Sequence, residues 1–421
     1  MLSSEAVYPQ DKVDIKNFHL KVRGEAGSIL GVVRQKKDFR KKVNDDNTIS
    51  QDENNKNMLS SNGALKLYAD YLDGNRYGYG TYMKLNSSAS KSHSGSDIAQ
   101  EIKIYLQNKL GRFEVGATSP AIQSLLVNPY DAAGANGGLS GDSISWLNGI
   151  FAYHGNGYNN IRTTYNNTFL TEPKLLLGFD SIGKSNKINY IAPTINGVSF
   201  ALSFTPDSSA KGVIGSVKKV AKTSRAPGFK NIIQPGIKYE RDINKNISFA
   251  TAVVSEFGRA KPYKYDAGTI ARKDLAAWQV GAKIRIYHSN ISTAYGSNGQ
   301  SGSRKDDRVV GAQYLGDYWC VGYAYNKDKF SVSTNYSESR RAGYIFGNDI
   351  NVINISSNNK EVNKFAAFSV GADVKTMEGF TPFVEYSRFK FKRNGNFTIG
   401  DSSMGFSNGG HVVLMGTKLH F

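Results

Sequence analysis

The chain has 421 residues, with 43 Gly, only 10 Pro, 24 Tyr and 22 Phe against 3 Trp, a mixture that favours aromatic-rich strands over helices. Lys and Arg number 53 against 35 Asp and Glu, and the resulting +18 points to anionic surroundings without naming a partner. The single cysteine, Cys320, excludes an intramolecular disulfide and any multi-cysteine metal site, and no apolar run is long enough for a membrane-spanning helix.

The first residues, MLSSEAVYPQ, carry neither a basic segment nor an apolar one, so either the protein stays inside the cell or this is a mature chain whose export signal has been removed. The first alternation comes soon after: Leu20 and Val22 oppose Lys21 and Arg23, which predicts a strand over 16–24. The densest basic run, RQKKDFRKK at 34–42, reads as an exposed loop. Period two then returns over 64–72, 76–85, 99–107 and 112–118. Tyr77, Tyr79, Thr81, Met83 and Leu85 oppose Tyr82 and Lys84, and Ile102, Ile104 and Leu106 oppose Lys103 and Gln107.

The period disappears over 118–185, a stretch rich in Gly and Asn that holds its own apolar residues, Leu125, Leu126, Trp146 and Phe151. An outward loop does not need them, so an inward-folded loop packed on a wall is expected. Within it, GFDSIGKS at 178–185 fits the phosphate-loop pattern G-x-x-x-x-G-K-[ST]. That chemistry needs a helix N-terminus after the loop. The next residues are NKINYIAP, with alternating Ile188 and Tyr190 before Pro193, so a strand is predicted and the pattern is read as coincidence.

Further strands are predicted over 186–192, 198–206, 231–242, 247–257, 276–287, 290–297, 318–326, 329–338, 364–375, 379–391 and 410–421. In AWQVGAKIRIY, Trp278, Val280, Ala282, Ile284 and Ile286 share one face and Lys283 and Arg285 the other. Cys320 alternates with Trp319 and Val321 and is expected to point inward as a small filler. Sixteen strands result, and their connections alternate. Short turns fall at 73–75, 109–111, 193–197, 244–245, 289, 327–328 and 376–378; long polar loops fall at 34–63, 207–230, 258–275, 298–317, 340–363 and 392–409. Short turns at one rim and long loops at the other are the layout of a transmembrane β-barrel. In lipid a sheet cannot leave an edge unpaired, so the strands must close. The predicted fold is therefore all-β: a 16-stranded antiparallel barrel forming one domain over 1–421. Its inner positions read as polar and unable to form a dry core. Aromatics and bases fall mostly on opposite faces, which argues against a nucleic-acid stacking platform.

Four stretches resemble the general bacterial porins, the trimeric diffusion channels of Gram-negative outer membranes. They are GRFEVGATSP (111–120), SNKINYIAPTINGVSFALSF (185–204), YWCVGYAYNKDKFSVSTNYSES (318–339) and the end HVVLMGTKLHF (411–421). The resemblance implies a trimer whose third loop, 118–185, narrows a water-filled channel for small hydrophilic solutes and ions. Loop acids facing wall bases would then be Asp131 and Asp142, with Glu172 and Asp180 secondary. The wall bases would be Lys21, Arg23, Lys66, Lys84 and Lys103. Many members carry an Arg where this chain has Ala117, so Lys283 and Arg285 join the candidates. Phe421 would serve as the assembly signal.

The implied partners are further copies of the chain, outer-membrane lipid and lipopolysaccharide, and the permeating solutes, with no nucleic acid, cofactor or metal. The surplus of wall bases predicts a mild preference for anions. Two alternatives remain: a substrate-specific anion channel of the same fold, and an adhesin or enzyme carried by the long loops. Catalysis finds no support in motifs, since the six His form no H-x-x-x-H and no G-x-S-x-G occurs.

Overall fold

A computed structural model of the chain describes residues 17–35, 41–43, 49–53, 57–73, 77–88, 99–129, 185–208, 210–213, 216–219, 228–265, 268–301, 305, 316–342, 362–392, 396–399, 402–405 and 407–421. Sixteen antiparallel strands close into one barrel. In chain order they are β1 (Phe18–Gln35), β2 (Asn57–Asp73), β3 (Tyr77–Ser88), β4 (Ala99–Asn108), β5 (Gly111–Ala117), β6 (Asn186–Ile191), β7 (Val198–Asp207) and β8 (Phe229–Asn244). They continue as β9 (Ile247–Ala260), β10 (Leu275–Ile286), β11 (Ser289–Ser297), β12 (Asp317–Lys327), β13 (Phe330–Ala342), β14 (Val362–Val374), β15 (Phe380–Lys392) and β16 (Asn408–His420). Each strand pairs with its neighbours in sequence, and β1 pairs with β16.

Register assigns the two faces. Arg23 pairs with Lys66, Lys66 with Lys84, and Tyr82 with Lys103, so these side chains share one surface. The opposite surface carries the aliphatic and aromatic residues. Leu20 is 70% and Ile104 62% exposed, values a water-soluble core would not tolerate in whole rows. Ile188, Phe200, Ile237, Trp278, Val321 and Phe368 extend the same exposed surface around the barrel. It is an outer band for lipid, and the charged surface lines the interior.

Strand limits lie close to the predicted ones except around the first long connection, where β2 begins at Asn57 rather than at 64, so the expected loop 34–63 is shorter at both ends. β1 runs to Gln35. In its second half Ile29 and Val33 point inward and are buried, while Leu30 faces outward, so both faces are apolar and the period-two signal vanishes. Four two-stranded ribbons also form in the long connections, at 41–43 with 49–53, 210–213 with 216–219, 263–265 with 268–270, and 396–399 with 402–405.

The expectation of a uniformly polar interior is corrected. Phe229, Ile232, Val254, Leu275 and Ala277 point inward and form a buried cluster with Ala121, Ile122 and Leu125. Val127 packs against Ala250 and Ala252 in a second cluster. Residues 118–129 are the start of the long third loop, and they run along the inside of the wall. A short 3-10 helix, Ala121–Leu125, carries the apolar side chains that the wall receives. Inward-facing glycines make room for this segment. A Cβ on Gly236 would meet Ile122 Cγ2 at 3.0 Å, one on Gly322 would meet Pro129 Cβ at 2.7 Å, and one on Gly281 would overlap the Val127 carbonyl. The loop therefore begins inside the barrel; residues 130–184 lie outside the described residues.

The β1–β16 seam has its own fitted pair. Gly24 N donates to the Phe421 carbonyl at 2.7 Å and Phe421 N to the Gly24 carbonyl at 3.0 Å, so the ladder continues past β16. A Cβ on Gly24 would overlap the Phe421 ring, which lies across its outer face. Gly24→Val should displace that ring and loosen the seam. The expected result is a lower temperature for loss of the compact band in SDS electrophoresis; an unchanged transition would refute the fit.

Candidate channel wall and loop root

The inner face of β1–β6 is a network of charge and tyrosine. Glu25 on β1 pairs with Lys66 of β2 at 2.7 Å and Lys84 of β3 at 3.7 Å. Lys103 on β4 lies 3.8 Å from Glu101 and 3.1 Å from Glu114, and Arg112 reaches Glu114 at 2.8 Å. Alternation explains the grouping, because every one of these residues occupies an inward position of a neighbouring strand. The Glu25 pairs are partly solvated, so each contributes little stability and leaves its charge available to the lumen, whereas Glu101 and Glu114 are buried.

Tyrosines hold several bases in place. The Arg112 guanidinium lies 3.7 Å from the Tyr105 ring centroid, Lys103 5.4 Å from that of Tyr82, and Arg23 5.9 Å from that of Tyr68. Tyr68 and Tyr82 contact each other with centroids 4.8 Å apart, and the Tyr105 hydroxyl donates to Asp70. A cation over a ring face is attracted by the ring quadrupole, which fixes side chains that would otherwise roam. The expected separation of aromatics and bases onto opposite faces therefore fails on β2–β5.

The root of the third loop is fastened by the same wall. Thr118 Oγ1 donates to Glu101, and Ser119 N reaches the same carboxylate at 3.3 Å. Asn189 Nδ2 donates to the Ser119 carbonyl at 2.9 Å, while Ala121 N donates to Ser203 Oγ at 2.7 Å. Lys187 joins the two ends of the loop: its ammonium donates to the Thr118 carbonyl and, at 3.0 Å, to the Ser185 carbonyl. This lysine is 3% exposed, so its donors are satisfied by these hydrogen bonds rather than by water.

All seven wall bases expected from the sequence lie on inward-facing strand positions. Lys66, Lys84 and Lys103 are brought together by Glu25, Glu101 and Glu114. Arg285 sits apart near the short-turn rim, where it pairs with Asp242 at 3.2 Å. Lys21, Arg23 and Lys283 make no ion pair among the described residues. Asp131, Asp142, Glu172 and Asp180 lie outside those residues. So do Gly178 to Lys184 of the phosphate-loop pattern, but the segment after Ser185 is strand β6, not a helix. Cys320 points inward as expected, is buried, and lies 3.8 Å from the Ala294 carbonyl. Sequence reasoning missed Glu25, Glu101, Glu114, Arg112 and Lys187. Their inward parity was available from the same alternation that selected Lys66 and Lys103.

A closed antiparallel cylinder of sixteen strands, apolar outside and charged within, defines a transmembrane β-barrel of the size that leaves an aqueous lumen. The chain belongs to the Gram-negative porin family, whose sequence profile matches residues 24–394. It is similar to an uncharacterized protein of Rickettsia conorii, 22% identical over 376 residues that cover 80% of this chain and 78% of that one. A protein of Rickettsia felis is 21% identical over 374 residues, covering 79% and 77%. Among solved structures, a loop-deletion mutant of OmpT, an outer membrane protein of Vibrio cholerae, matches with a TM-score of 0.54 at 9% identity, over 96% of this chain and 100% of that one. A mutant of the Rh. blastica porin matches with a TM-score of 0.50 at 15% identity, with the same coverage. At such identities the structural matches speak to fold alone.

Proposed function

We propose that the protein is a non-catalytic channel of a bacterial outer membrane, passing small hydrophilic solutes and ions by diffusion. The observation that carries this reading is the partly solvated charged wall of β1–β5, opposite a third loop whose root is built into the interior. Solutes would pass between that wall and the loop, with Asp131 and Asp142 as the loop-side carboxylates facing Lys66, Lys84 and Lys103. Fixed charges around such a passage set ion preference. The wall carboxylates offset much of the wall's basicity, and Lys21, Arg23 and Lys283 leave a weak preference for anions.

Added to a planar bilayer, the purified chain should produce stepwise conductance, with a reversal potential under a salt gradient that favours chloride modestly. Insertion without current steps would overturn the channel; a strong cation preference would overturn the selectivity alone.

Self-association, as a trimer on the family's pattern, is the assembly we propose, and the outer surface supports contact between copies. Thr417, Ser28 and Ser61 form a cross-strand row on the outward face of β16, β1 and β2, flanked by Ala26 and Gly63. Ser28 and Ser61 bond each other at 2.7 Å. Hydroxyls and small side chains in the middle of a lipid-facing band are better covered by another copy than by acyl chains. The detergent-solubilised particle should therefore have three times the protomer mass.

A further inference from the structure

On the inner face, register sets Lys21 of β1, Tyr68 of β2, Tyr82 of β3 and Lys103 of β4 in one cross-strand row. The next inward row towards the long-loop rim holds Arg23, Lys66 and Lys84. Neighbouring strands lie about 4.8 Å apart, so this second row places three cations side by side. Like charges directly opposite one another destabilise a sheet. One carboxylate, Glu25, serves both Lys66 and Lys84. Lys21 and Arg23 are exposed and make no ion pair among the described residues. Positive charge is therefore left uncompensated on β1–β3.

The two tyrosines of the first row differ in access. Tyr82 is buried, and the Lys103 ammonium lies 5.4 Å from its ring centroid. Tyr68 is half-buried and leans on Tyr82, with centroids 4.8 Å apart and ring planes at 46°. The Arg23 guanidinium stands 5.9 Å from the Tyr68 centroid. The lumen therefore meets one partly open ring, backed by a second and bordered by Lys21, Arg23 and Lys66. Bases alone would sort anions by charge. A ring at the same place adds face and edge contact, which a planar aromatic solute collects and a saturated one does not.

We propose that Lys21, Arg23, Lys66, Tyr68 and Lys84 form a binding site for small organic anions that carry an aromatic ring, with the ring against Tyr68 and the anionic groups on the surrounding bases. This names a solute class for the channel wall and rests on the reading of that wall as facing the solute path. The probes are phthalate; hexahydrophthalate, which has the same carboxylates on a saturated, puckered ring; and benzamide, which is aromatic and uncharged. Binding is read on the full chain in two ways, by calorimetric titration in detergent and as block of chloride current in a planar bilayer. Phthalate should bind and block at a concentration roughly three- to tenfold below hexahydrophthalate, the worth of one aromatic pair. Benzamide should bind more weakly than either diacid. Tyr68→Leu should bring the two diacids level, and Tyr68→Phe should keep them apart. Arg23→Gln should weaken both and leave their ratio standing. Tyr79→Leu, on the outward face, should change neither. Equal affinity for the two diacids in the unchanged chain, or a ratio that survives Tyr68→Leu, would overturn the site. Benzamide binding as tightly as phthalate would overturn the role of the bases. A chain that ranks the probes as expected in detergent but passes no current would support the site and overturn the channel reading instead.

Discussion

Gly281→Val is expected to lower single-channel conductance and exclude larger solutes, because it pushes the loop root off its wall into the lumen, while lowering the temperature at which the barrel unfolds. The new side chain would be driven into the Val127 carbonyl, which is main chain and has no rotamer to escape through. Overpacking a fitted interior costs about 1–3 kcal/mol, and the least costly relief is to lift the loop root from the wall. Gly322→Ala should act in the same direction more weakly, because its obstacle is the Pro129 ring at 2.7 Å. Gly236→Ala should be weaker still, since the Ile122 and Leu125 side chains can shift. Ala282→Val serves as the control, because residue 282 is the outward neighbour of Gly281 and would place its methyls in lipid. Planar-bilayer recording and liposome swelling check the result. Unchanged conductance together with an unchanged unfolding temperature for Gly281→Val would refute the fitted loop root.

Glu25→Gln should shift selectivity towards anions more than any other single change in the wall. Glu25 faces both Lys66 and Lys84, so its neutralisation frees two bases at once. An interaction between unit charges at about 4 Å is worth about 1 kcal/mol in water, enough to change a local ion population by roughly fivefold. The shift should be read from reversal potentials and should shrink as salt rises, because screening shortens the reach of the freed charges. Glu114→Gln offers a useful contrast. Its carboxylate is largely buried and serves Lys103, Arg112 and Asn189 together. Its loss should move selectivity in the same direction but also lower stability, because partners of a mostly buried charge are left uncompensated. A Glu25→Gln reversal potential identical to that of the unchanged chain would mean that this part of the wall does not face the ion path.

The barrel was legible because alternation is a direct geometric consequence of strand structure. Trp278, Val280 and Ile286 against Lys283 and Arg285 need no tertiary information to be sorted. The connections added closure and direction. The upper half of β1 was not legible, because Ile29, Leu30 and Val33 are apolar on both faces and resemble any hydrophobic run. The inner wall was half legible. The bases stand out at inward positions, but Glu25, Glu101 and Glu114 gain their meaning only from the register that sets each beside bases of the neighbouring strands. Lys187 could not be assigned from sequence, since its partners Thr118 and Ser185 lie on either side of a long aperiodic stretch. The three fitted glycines were equally silent. A missing side chain has meaning only once the neighbour that occupies its place is known.

The pairing of β1 with β16 has a bearing on how the molecule is made. Glu25 must find His420, almost the whole polypeptide apart, before the cylinder is sealed. Bringing such distant segments together in an unstructured chain costs roughly 5 kcal/mol in chain entropy, a cost that falls as the strands between them pair. The other pairings join strands adjacent in sequence and can zip locally, but a sheet still open at this seam exposes two sticky edges to any passing chain. Biogenesis therefore stays vulnerable up to its final stitch, and whatever delivers this polypeptide to the bilayer must shield both margins until the last strand arrives.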